Sequence, residues 1–150
     1  MSTPDAKSIM GHQTLHLDNQ ECVLHTTHMS TKTATDFGTF VRDRREALLA
    51  DDRTFSVRQV AARVGIEPSY LSKIERGEQP PPGEATIIAI ADEIGEDPDV
   101  LLALAGKVST DLRDAIVKRP QLFAELIREL KNQPDHAVLR IVREVRDGEW

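Results

Sequence analysis

Ser69, Ser72, Lys73 and Arg76 fall within one sector of a helical wheel drawn at about 100° per residue, and Leu71 and Ile74 fall roughly opposite. Two hydroxyls and two cations side by side can bond phosphate oxygens and the edges of nucleic-acid bases. Catalytic chemistry has no comparable set. The helical part of the chain holds no cysteine and only one histidine, His136, with no glycine-rich phosphate loop and no Ser-His-Asp or metal-ligand spacing. His136 follows Pro134-Asp135 and reads as a first-turn helix residue. Cys22-x-x-His25-x-x-His28 has a superficial likeness to a metal site, but its spacing is wrong for a zinc finger and no second ligand pair follows. No enzyme, metal or cofactor is expected.

Two short helices must position the polar face. Ser56 caps one that runs from Val57 to Val64, and Gly65 stops it. Glu67-Pro68 starts the next, because proline suits the first helical position, and this helix ends at Gly77. Small Ala61 lets the pair approach, Gly65 permits the tight turn, and Ile66, Leu71 and Ile74 pin the second helix to a core. These are the parts of a helix-turn-helix, whose second helix leaves one face free for the major groove of a duplex. Pro68 and Ser69 stand at its N-terminal end, where such helices touch bases, and Tyr70 lies between its two faces.

Further helices support the pair. Phe37, Phe40, Val41, Ala47 and Leu48 mark an amphipathic helix over 37–50 with Asp36 as its cap, and 49–54 reads as a loop. After the extended Pro80-Pro81-Pro82-Gly83, a fourth helix covers Glu84 to Ile94 and buries Ile87, Ile88, Ala91 and Ile94. Asp97-Pro98 opens a fifth to about Ala105, with Val100, Leu101 and Leu104 inward.

The segment from Ser56 to Gly77, and above all Tyr-Leu-Ser-Lys-Ile-Glu-Arg-Gly at 70–77, resembles the XRE family of bacterial and phage regulators, related to lambda-type repressors. The likeness extends over roughly 37–105, with Ile-Ala-Ile-Ala-Asp-Glu-Ile-Gly at 88–95 fitting the family's fourth helix. It implies an all-α fold, a five-helix lambda-repressor-like DNA-binding domain that commonly acts as a dimer on a palindromic operator. It also implies an ion pair between Glu75 and an arginine of the first helix, here Arg45. Two features depart from the family pattern. The glutamine common at the second residue of the first motif helix is Val57 here, beside Arg58, and the first loop is somewhat longer.

Length and charge agree with a binding role. The chain has 150 residues, one cysteine and no secretory leader, so a reducing cytoplasm is the expected location. No apolar run approaches the roughly 20 residues that cross a bilayer, and no membrane association is expected. The net charge of −6 argues at first against nucleic acid, but it is unevenly spread. All eight cations of 37–105 lie between Arg42 and Arg76, whereas Glu78 to Asp99 holds seven carboxylates and no cation. That asymmetry suggests a domain with one basic side.

Three regions follow: a poorly ordered polar tail over 1–36, the DNA-binding domain over 37–106, and a C-terminal helical extension over 107–150. Met29 offers a second plausible start within the tail. In the extension, helices are expected over 110–118, 120–131 and 135–146, and the stripe Leu122, Phe123, Leu126, Ile127 and Leu130 suggests a dimer interface. The expected activity is sequence-specific binding of double-stranded DNA by a homodimeric repressor, through Arg58, Pro68, Ser69, Tyr70, Ser72, Lys73 and Arg76. The alternative is an antitoxin-like module whose C-terminal helices bind a second protein.

Overall fold

Glycine and proline punctuate this chain into helices, each of which must bury one stripe against its neighbours. The computed structural model describes the backbone from Asp18 to Gly148 and side chains from Thr33 to Gly148. Among these residues are eight α-helices and no strand. They are α1 (Asp18–Asp51), α2 (Val57–Val64), α3 (Pro68–Glu75), α4 (Glu84–Ile94), α5 (Pro98–Leu104), α6 (Thr110–Lys118), α7 (Pro120–Leu130) and α8 (Asp135–Asp147), with a 3-10 turn at Arg53–Phe55. The chain divides into two units, one up to Ala105 and one from Gly106.

In the first unit α1 begins well before the expected Asp36 cap and runs three residues into the loop expected at 49–54, ending at Asp51, so the break falls at Asp52. Thr33 to Asp36 contain no helix breaker, and Ala34 is buried, so packing carries the helix through this turn. The tail expectation falls largely on residues 1–17 and on the side chains of 18–32. These lie outside the described residues, and Cys22, His25, His28 and Met29 are among them. Beyond α1 the Asp52 carboxylate accepts from the Thr54 N–H at 2.8 Å and opens the 3-10 turn. These bonds hold Asp52 below the usual carboxylate range.

Ser56 then caps α2, its hydroxyl accepting from the Gln59 N–H, and Gly65 ends the helix at φ +83°. α3 starts on Pro68 and closes in a Schellman turn. There Gly77, at φ +69°, donates to the Ile74 carbonyl at 2.9 Å, and the Glu78 N–H donates to the Lys73 carbonyl at 2.9 Å.

The core joins Phe37 and Val41 of α1, Val60 and Ala61 of α2, Leu71 and Ile74 of α3, and apolar residues of α4 and α5. Each large side chain removed from water here is worth about 1.5–3 kcal/mol. Two inward assignments differ from the sequence reading. Ile90 is fully buried while Ile88 is half-buried, and Leu102 is fully buried while Val100 is 49% exposed. α4 and α5 are apolar on several sides, so contact with α1 and α2, not periodicity, selects which side turns inward.

In the second unit Ser109 caps α6 by accepting from the Leu112 N–H, and α6 packs on α7. Leu122, Leu126 and Ile127 of α7 remain exposed, and so do Leu139, Val142 and Val145 of α8. Among the described residues, no helix is long and apolar enough to cross a membrane.

Candidate nucleic-acid interface

α3 is built with two unlike sides. Leu71 and Ile74 are fully buried, and Ile66, in the turn before the helix, packs on the same core. On the other side Ser69, Lys73 and Arg76 are exposed, while Pro68 and Ser72 are half-buried. Tyr70 is half-buried and packed against the core, so its ring helps to hold the helix in place. On α2, Arg58 is exposed, whereas Val57 packs against the core.

Two contacts with α1 fix the position of α3. The first is ionic. Arg45 and Glu75 are only 4% and 6% exposed. Arg45 Nε donates to Glu75 Oε1 at 2.6 Å and Nη2 donates to Oε2 at 2.8 Å. The third guanidinium nitrogen, Nη1, donates to the Phe55 carbonyl at 3.2 Å, which ties the 3-10 turn to the same pair. Glu75 holds the Arg45 guanidinium above its ordinary range, against the opposing pull of burial. A fork of this kind offsets the desolvation of two charges that would otherwise be costly to bury. The second contact is steric. Gly38 of α1 lies against the C-terminal end of α3, where a β-carbon would sit 2.1 Å from the Ile74 carbonyl oxygen.

Where α1, the start of α2 and α3 meet, a depression of about 230 Å³ is edged by Arg42, Arg45, Glu46, Val57, Ser72, Glu75 and Arg76. Each of its three guanidinium groups already faces a carboxylate. The electrostatics around it differ from the sequence expectation, because folding pairs five of the eight cations. Arg42 bonds Glu46, Arg44 bonds Glu96, Arg45 bonds Glu75, Arg63 bonds Glu93 and Arg76 bonds Glu78. Among the described residues, Arg53, Arg58 and Lys73 form no ion pair. The carboxylate-rich stretch after Glu78 therefore does not simply face away, since Glu93 and Glu96 from its far end return to Arg63 and Arg44.

Several residues escaped the sequence reading. Gly38 interrupts an apolar helical stripe beside Phe37 and Val41, and a glycine at such a place signals close approach by another backbone. Arg63 donates to the Thr54 carbonyl at 2.9 Å and lies over the Phe55 ring at 5.4 Å, so it clamps the 3-10 turn. Glu78 follows the glycine that ends α3, where the Schellman geometry returns it to its own helix. In the second unit, of the expected interface residues, Leu122, Leu126 and Ile127 are exposed and Phe123 and Leu130 are half-buried. No group of three or more His, Cys, Asp or Glu side chains among the described residues is arranged to hold a metal ion.

Residues 36–104 match the family model of a helix-turn-helix domain, which supports a DNA-binding family of that type. No curated protein and no solved structure matches the chain.

Proposed function

We propose, on the premise of a helix-turn-helix domain over residues 36–104, that the protein is a sequence-specific regulator of transcription, of the XRE type and acting as a repressor. The observation that carries this reading is the two-sidedness of α3. Leu71 and Ile74 brace it from beneath, and the Arg45–Glu75 fork locks its end. Ser69 and Lys73 stay exposed and able to enter a major groove.

In this reading Pro68, Ser69 and Tyr70 approach base edges at the front of α3, whereas Arg58, Ser72, Lys73 and Arg76 bond phosphates and set the register. A single module makes few base contacts, so two copies act together, with their α3 helices one helical turn apart, roughly 34 Å. The exposed stripe Leu122, Leu126 and Ile127, with Phe123 and Leu130 at its margin, joins them.

Selection of bound duplexes from a random pool tests this function. The expected result is a two-fold symmetric site whose affinity falls steeply with salt. Binding that shows neither sequence preference nor salt dependence would refute it. The exposed apolar faces of α7 and α8 also favour a second reading, an antitoxin-like module that docks a different protein. A clean homodimer after purification supports self-association, and stoichiometric co-purification with the product of a neighbouring gene supports the second reading.

A further inference from the structure

The cation at the end of α3 already has an anion. Arg76 Nε donates to Glu78 Oε1 at 2.6 Å, Nη2 donates to Oε2 at 2.9 Å, and Nη1 donates to the Ser72 hydroxyl. This is the two-pronged arrangement by which a guanidinium grips a phosphate. The carboxylate is not there by a chance side-chain conformation alone, because the Schellman turn pins the Glu78 backbone to the Lys73 carbonyl and so returns the residue to the helix terminus. Lys73 also lies close enough to act on the Glu78 charge. The hydrogen bonds from Arg76 hold Glu78 below the usual carboxylate range, so the pair is ionised at neutral pH.

We propose that Glu78 is an internal phosphate mimic, a carboxylate that competes with the DNA backbone for Arg76 and thereby limits the affinity of the interface. This inference rests on the DNA-binding reading of α3. To bond a phosphate, Arg76 must exchange Glu78 for it or hold both anions at once, and both routes weaken the contact. The Arg76–Glu78 pair is neutral as a unit, so it contributes little net phosphate neutralisation until the carboxylate is removed. Non-specific affinity, which depends almost entirely on charge, is reduced most. Glu78 therefore raises the share of the binding energy that comes from base contacts.

The test uses the full-length chain and a labelled duplex selected by the wild type, together with a scrambled duplex, titrated by fluorescence anisotropy at several salt concentrations. Glu78→Gln removes the charge with little change in shape. It is expected to bind the selected duplex roughly two- to fivefold more tightly, the range of one exposed ion pair. Its salt slope should steepen by about one phosphate equivalent. The scrambled duplex should gain at least as much. Asp99→Asn makes the same charge change on an exposed part of α5 and is expected to leave both quantities unchanged. In an Arg76→Ala background the gain from Glu78→Gln should disappear.

Equal affinity and slope for wild type and Glu78→Gln would overturn the proposal while leaving DNA binding intact. An equal gain from Asp99→Asn, or a gain that survives in Arg76→Ala, would overturn it in favour of plain charge repulsion. Failure of the wild type to bind any duplex in a salt-sensitive manner would remove the parent reading and this inference with it.

Discussion

At the scale of single residues the buried fork and the exposed face make opposite demands on α3. Arg45 and Glu75 are held out of water by each other, so deleting one strands a charge. Arg45→Ala and Glu75→Ala should each lose about 3–5 kcal/mol in chemical unfolding. The double reversal, Arg45→Glu with Glu75→Arg, should recover part of that, and a wild-type unfolding curve for Glu75→Ala would exclude a bracing role. Lys73 and Ser69 carry no comparable structural load. Lys73→Ala should keep its melting temperature and weaken binding to all duplexes, with a salt slope lower by about one. Ser69→Ala should change sequence preference more than salt dependence. Asp52 adds a pH signature. Its folded value lies below its unfolded one, so its charge-linked stability is complete above the unfolded carboxylate range and is lost as pH falls through the folded value. Asp52→Asn should melt lower than wild type at about pH 7, and the gap should close as the pH falls through the folded value of the Asp52 carboxyl.

Among the elements, the boundaries of α2, α4 and α6 are legible residue by residue. Ser56 and Gly65 are local signals that the backbone obeys locally, and in the folded chain Gly95 and Ser109 play the same parts at the end of α4 and the start of α6. The extent of α1 is not legible in this way. Neither Asp36 nor the stretch at 49–51 interrupts it, since contacts with α3, α4 and α5 outweigh weak propensities. The contact between α1 and α3 makes a sharp prediction. Gly38→Ala must push the Ile74 carbonyl away, and overpacking of this kind costs about 1–3 kcal/mol. By shifting the helix that carries the binding face, it should also reduce affinity beyond what the fraction unfolded explains. Urea unfolding paired with anisotropy on the same preparation would separate the two effects.

For the whole molecule, the two units pose separate questions. Among the described residues, the first gathers most of its large apolar side chains into one core, whereas the second leaves Leu122, Leu126, Ile127, Leu139, Val142 and Val145 in water. With a second copy as the proposed cover for that stripe, Leu126→Glu combined with Ile127→Glu should convert a dimer into a monomer by light scattering. Monomer formation should weaken operator binding more than single-module contacts, because the two half-sites would no longer be linked. Unchanged mass would remove the stripe from the interface.

The helix-turn-helix over 56–77, the inward Leu71 and Ile74 and the outward Ser69 and Lys73 follow from residue order alone. Caps, glycine stops and the 3.6-residue repeat act within a few residues of one another. The pairing of Arg44 with Glu96, of Arg63 with Glu93 and of Gly38 with the Ile74 carbonyl joins groups at least 30 positions apart along the chain. Such partners meet only after the helices have packed, and together with the local pairs Arg42–Glu46 and Arg76–Glu78 they leave less free positive charge than the linear distribution implies.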